Sequence, residues 1–90
     1  MARQRYIVTG KVQGVGYRYW THHTASMFGL KGWVRNLPDG TVELVAEGDL
    51  SILQQFEQEL WQGPLTSSVA DLILCDTDFK EKLEGFTMRY

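Results

Sequence analysis

Polar and apolar positions alternate over residues 5–12, with Tyr6, Val8, Gly10 and Val12 on one face and Ile7, Thr9 and Lys11 on the other. A period of two predicts a strand, with a central place in its sheet. The period lengthens over residues 19–28, where Trp20, Thr24, Met27 and Phe28 recur at helical spacing with no Gly or Pro between them. Gly29 follows as a residue able to close a helix in the left-handed conformation. Residues 30–37 and 41–47 are strand-like runs, and Pro38-Asp39-Gly40 between them is a tight hairpin connection. Asp49 is placed to cap a second helix with Leu53, Phe56 and Leu60 on its buried stripe, and Gly63-Pro64 ends it. Residues 69–75 form an apolar strand, and 85–90 a short last one.

The order is β-α-β-β-α-β plus a terminal strand. Two right-handed crossovers joined by a hairpin give an α+β, split β-α-β sandwich: an antiparallel sheet with two helices on one face. Residues 1–90 show no linker, repeat or low-complexity segment and are expected to form one domain. With 43% hydrophobic and 22% charged residues, the composition is that of a globular chain. No apolar run approaches the roughly 20 residues of a membrane span, and the N-terminus lacks a signal-peptide core. The single cysteine, Cys75, excludes an internal disulfide framework and any CxxC motif. A cytoplasmic, metal-free monomer is the expectation, with neither nucleic acid nor membrane as partner.

The net charge of −2 conceals an asymmetry. Residues 1–38 contain no Asp or Glu but carry Arg3, Arg5, Lys11, Arg18, Lys31 and Arg35, and all 11 acidic residues lie from Asp39 onward. A pI near 5.6 argues against general nucleic-acid binding. A local positive field in the first half suits a small anion, unless the charges of the two halves mix on folding.

That field surrounds Gln13-Gly14-Val15-Gly16-Tyr17-Arg18, between the first strand and the first helix. Gly14 and Gly16 permit positive φ, so consecutive N–H groups can turn inward as an anion nest. The helix that follows aims its unpaired N–H groups and positive dipole end at the same spot. Arg18 can add a planar fork of charged donors. The loop is neither a Walker motif nor a dinucleotide fingerprint, and a plain βα turn with a surface arginine stays open for this segment alone. A second group is Gly32-Trp33-Val34-Arg35-Asn36 before the hairpin. Asn36 shares strand parity with Val34, which turns its amide toward the packed face, either to bond its own turn or to orient a water.

Gly10-x-Val12-Gln13-Gly14-Val15-x-Tyr17-Arg18 and Gly32-Trp33-Val34-Arg35-Asn36-x-x-x-Gly40-x-Val42 both resemble the signature blocks of the acylphosphatase family. The ending Phe86-x-Met88-Arg89-Tyr90 is similar to that family's C-terminus. The likeness is strong over about residues 6–48 and rests on length and pattern alone over 49–84. It implies a ferredoxin-like sandwich that hydrolyses acyl phosphates to carboxylate and inorganic phosphate without metal or other cofactor. Residue by residue, it places the phosphate-binding arginine on Arg18, the water-orienting asparagine on Asn36, and the phosphate cradle on Gln13, Gly14, Val15, Gly16 and Tyr17. Tyr17 stands where the family mostly has Phe, and Met88 where a β-branched residue is usual. Both keep an apolar body.

The chemistry of such a substrate fits this residue set. Phosphoryl transfer asks a protein mainly for positioning and charge stabilisation. The leaving carboxylate has a conjugate-acid pKa of about 4, so it departs unprotonated at neutral pH without a general acid. A phosphomonoester expels an alkoxide and requires help that Arg18 and Asn36 do not offer. Among other residues, His22 and His23 are expected to serve no catalytic role, Trp20, Phe28, Phe56 and Cys75 to be core, and Trp33 and Tyr17 to be candidates for the border of the site. Lys11 and Arg35 are either anion-steering or ordinary surface charges. The same fold also hosts RNA-recognition and metal-chaperone modules. The first wants several aromatics on its central strands and the second a CxxC, neither of which is present. A regulatory domain that senses phosphate through the same cradle would differ only in turnover.

Overall fold

In the computed structural model, which describes residues 2–77 and 80–90, the elements run β1 (Ala2–Lys11), α1 (Tyr17–Met27), β2 (Lys31–Asn36), β3 (Val42–Gly48), α2 (Leu50–Gln62), β4 (Ser68–Cys75) and β5 (Phe86–Arg89). The strands form one sheet in the order β4-β1-β3-β2-β5. β1 is interior as expected, although β3 takes the centre. Four strands pair antiparallel. β5 pairs parallel to β2, from Gly32 opposite Phe86 to Arg35 opposite Arg89, so the sheet is mixed at this edge. Strand direction accounts for this. β4 runs opposite to β1, the next strand therefore returns along β1's direction, and the free edge it meets, β2, already points that way.

Period-two burial sorts the sheet into two faces. Tyr6 and Val8 of β1, Leu44 and Ala46 of β3 and Val34 of β2 turn inward against Leu53, Phe56 and Leu60 of α2, and all are buried. At roughly 25 cal/mol per Å² of apolar surface removed from water, this layer is the main source of stability. The opposite face carries Trp33, Val45 and Leu83 as a smaller buried cluster. Around that cluster lie ion pairs between the two halves of the chain: Arg3 with Glu47, and Arg5 and Arg35 with the one carboxylate of Glu43. Three of the six basic residues of the first half are therefore paired with acids of the second across β1, β2 and β3.

Three expectations change. The buried stripe of α1 is Tyr17, Thr21 and Ala25, with Trp20, Thr24 and Phe28 partly buried and Met27 76% exposed. The helix begins two residues earlier than the helical period over residues 19–28 suggests, which brings Tyr17 into the i, i+4, i+8 row. Cys75 is partly exposed and not a core residue, because β4 is an edge strand that leaves Ile73 and Leu74 exposed too. Trp33 lies on the sheet face away from the glycine loop, since Val34 and Asn36 hold the inward parity. Among the described residues no helix is long and apolar enough to cross a membrane.

Candidate active site

The loop after β1 is shaped by its two glycines. Gly14 has φ 72° and Gly16 φ 80°, and a Cβ on either would meet nothing within 4 Å. The backbone angle, not crowding, is what these positions require of their residue. Gly16 is the N-cap of α1, and no side chain caps the helix. Its first backbone bond runs from Trp20 N–H to the Gly16 carbonyl at 2.9 Å. The N–H groups of Tyr17, Arg18 and Tyr19 are thus without intrahelical acceptors, at the positive end of the helix dipole.

Four contacts hold this loop in place. Gln13 Nε2 donates to the carbonyls of Leu37 and Thr41, both at 2.7 Å, and so ties the loop to the β2–β3 turn. The Val15 carbonyl accepts from Thr66 Oγ1 at 2.7 Å. Tyr17 is buried, and its hydroxyl donates to the Leu60 carbonyl at 2.7 Å in the last turn of α2. Burial pushes its phenol above the ordinary tyrosine range, so it is a neutral donor. Gln13 and Tyr17 thus anchor the loop through their side chains and Val15 through its carbonyl, with its side chain packed against the core, and what this segment offers an anion is the remaining backbone N–H groups.

Arg18 leaves the first turn of α1 toward β5. Its Nη1 donates to the Arg89 carbonyl at 3.3 Å, and its guanidinium lies over the Tyr90 ring, 4.4 Å from the centroid. No carboxylate among the described residues lies within ion-pair distance of it. Arg3, Arg5 and Arg35 each pair with a glutamate, so Arg18 keeps its charge available where Arg35 does not. Asn36, the last residue of β2, lines the same cleft. Its Oδ1 is buried without a hydrogen-bond partner among the described residues. The Asx role in the hairpin belongs to Asp39, whose Oδ1 accepts from Thr41 N–H at 3.0 Å and Thr41 Oγ1 at 2.6 Å. These bonds hold the Asp39 carboxyl below the usual carboxylate range. Asn36 does not tie its own turn, which leaves its amide to the cleft.

The cleft has a volume of about 390 Å³ and brings together Gly14, Gly16, Arg18 and Asn36, with Tyr19, Met88 and Tyr90 along its sides. Tyr17 reaches it at the loop, whereas the side chains of Gln13 and Val15 face elsewhere. His23 is exposed and His22 packs near the Phe86 ring; neither lines the cleft. The roles of Gln13, Asp39 and Tyr19 were not legible in the sequence. Gln13 and Asp39 bind partners across a turn, and Tyr19 looks like any helical surface aromatic until β5 is placed beside it.

A glycine-shaped βα loop with an arginine converging on it, set on a ferredoxin-like sandwich, defines the class of α+β protein to which the chain is compared. Residues 4–88 match the family model described as Acylphosphatase. The chain is 44% identical over 90 residues to an acylphosphatase of Pasteurella multocida, covering all of both chains. It superposes on the crystal structure of an acylphosphatase from Bacillus subtilis with a TM-score of 0.93 at 39% identity, again covering both chains fully. An acylphosphatase structure from Coxiella burnetii aligns at 0.88 and 33% identity, over 97% of this chain and 90% of that one. The chain belongs to the acylphosphatase family.

Proposed function

We propose that this chain hydrolyses the carboxyl–phosphate bond of acyl phosphates, with the phosphoryl group held by Arg18 and the loop backbone and the attacking water oriented by Asn36. The observation that carries this reading is the convergence, on one cleft, of an arginine without a carboxylate partner and a buried amide oxygen without a donor among the described residues. The backbone N–H groups of residues 14–18 and the Arg18 fork surround the non-bridging oxygens and stabilise charge as it shifts among them. Asn36 Oδ1 accepts a hydrogen bond from the water and so aligns its lone pair on phosphorus. The new P–O bond forms from that water as the P–O bond to the acyl group breaks. The electron pair leaves with the carboxylate, and the water's protons stay with the phosphate that forms or pass on to solvent. No acid, metal or cofactor is needed, because the leaving group is already a stable anion.

The 90 residues act as one domain, a cytoplasmic monomer whose partners are small phosphates. Tyr6 supports the exclusion of RNA stacking, since it is buried beneath the helices and not displayed on the open sheet face. The test is an assay with benzoyl phosphate, with inorganic phosphate and EDTA added in turn. Turnover, competitive inhibition by phosphate and indifference to EDTA are expected. Phosphate binding without turnover would make the chain a phosphate sensor. Loss of activity on chelation, restored by a divalent ion, would contradict the metal-free mechanism.

A further inference from the structure

In a loop built from backbone donors, the direction of each peptide decides whether an anion meets an N–H or a carbonyl. Among the described residues no peptide bond is cis. The carbonyl of Val15 and the N–H of Gly16 therefore point to opposite sides of one plane. That carbonyl accepts from Thr66 Oγ1 at 2.7 Å. Gly16 lines the cleft and Thr66 does not. Holding the carbonyl on the Thr66 side thus turns the Gly16 N–H toward the cleft. The same peptide is otherwise free to turn over. A half-turn would carry Gly16 from φ 80° to about −100°, a region open to glycine without strain. Nothing lies within 4 Å of where its Cβ would stand, so neighbours do not block the motion. The flipped peptide would present its carbonyl to the cleft, where an acceptor repels phosphate. The turn that carries Thr66 is itself fixed, since Ser67 donates its N–H and its hydroxyl to the Pro64 carbonyl at 2.9 and 2.8 Å.

We propose that Thr66 is a positioning residue for the phosphate cradle, its hydroxyl holding the peptide between Val15 and Gly16 with the N–H turned to the phosphoryl group. This rests on the reading of the loop backbone as a holder of that group. Thr66 itself touches no substrate and acts through the peptide it orients. Its bond to Val15 lies at an exposed site, so water takes the place of the hydroxyl when the side chain is changed. Stability is then little affected, and what is lost is the preference for one peptide direction.

The experiment compares the unmodified chain with Thr66→Val, which keeps the shape without the donor, and Thr66→Ser, which keeps the donor. Each is measured for kcat/KM with benzoyl phosphate, the inhibition constant of inorganic phosphate and melting temperature. The NMR shift of the Gly16 amide is followed as phosphate is added. Thr66→Val is expected to weaken phosphate inhibition and kcat/KM about threefold or more, as one hydrogen bond no longer biases the peptide. Its Gly16 amide is expected to shift less with phosphate, while its melting temperature stays within about 2 °C. Thr66→Ser is expected to recover both the constant and the shift. An unchanged phosphate constant or an undiminished Gly16 shift in Thr66→Val would overturn the positioning role, as would a loss that Thr66→Ser fails to recover. Absence of both phosphate inhibition and hydrolysis in the unmodified chain would instead overturn the reading of the cradle beneath it.

Discussion

Gly14 and Gly32 show how differently two glycines of the signature blocks work. Gly14 has open space where a Cβ would stand and a φ of 72°, whereas a Cβ on Gly32 would overlap the Val45 carbonyl of the neighbouring strand. Gly14→Ala therefore has a backbone cost alone, on the order of 1–2 kcal/mol for a left-handed position. The chain is expected to fold and to bind phosphate more weakly, as the loop relaxes away from its inward-turned N–H groups. Gly32→Ala has no conservative adjustment available, because the obstacle is backbone, and it is expected to abolish folding. Thermal melts of both, with phosphate inhibition measured for Gly14→Ala, check the contrast; equal loss of fold would contradict it. From sequence alone the glycines of the two blocks read alike. The requirement for positive φ at Gly14 and Gly16 was legible from their place between strand and helix, but the steric need at Gly32 comes from β3 and appears only once the sheet is assembled.

Among the elements, the hairpin and the glycine loop act as one unit through Gln13. Its amide bridges the carbonyls of Leu37 and Thr41, each of which also accepts a backbone N–H. Gln13→Ala thus leaves no carbonyl without a partner and is expected to cost about 1–2 kcal/mol for two ordinary hydrogen bonds. Its effect on kcat is expected to exceed its effect on Tm, since the clasp sets Asn36 at the end of β2 relative to the cradle. A fall in Tm with unchanged kcat would reduce Gln13 to a structural tie. Element type and order were legible in the periodicities of 2 and 3.6. The phase of α1 was not, because Tyr17 falls within the glycine loop and its burial depends on reaching Leu60 of α2. The edge position of β4 was hidden for a related reason. Ile73, Leu74 and Cys75 have the composition of an interior strand, and pairing alone reveals that one side is open.

Over the whole molecule, folding brings the basic first half onto the acidic second half. Glu43 is 4% exposed and accepts from Arg5 Nε at 2.7 Å and Arg35 Nε at 2.6 Å. Burial alone would raise its pKa; the hydrogen bonds and charges of the two arginines outweigh that and hold it below the usual carboxylate range. A depressed folded-state pKa means stability that is present above the unfolded value and lost as pH falls through the folded one. Melting temperature is expected to decline as pH falls below the unfolded glutamate value of about 4.3, and Glu43→Gln, destabilised at neutral pH by about 1.5–3 kcal/mol through the loss of a charge-assisted hydrogen bond, to show a shallower acid decline. An equally steep acid decline in that variant would assign the acid sensitivity to other carboxylates. The asymmetry of charge was visible in the sequence, but which arginine has no carboxylate partner among the described residues was not. Arg18 is that residue because α1 carries it across to β5, away from the glutamates of β3, and onto the cleft that Asn36 enters from β2. The central claim is that these two residues divide the work, and the kinetics of Arg18→Ala and Asn36→Ala test it most directly. Each variant is first shown by its melting curve to be folded. Arg18→Ala is expected to lose at least about 100-fold in kcat/KM together with inhibition by phosphate, as several charged hydrogen bonds are removed. Asn36→Ala is expected to lose about 100-fold or more in kcat while its phosphate inhibition constant stays nearly unchanged. A folded Asn36→Ala that keeps its kcat, or loses phosphate inhibition in parallel with Arg18→Ala, would contradict the account.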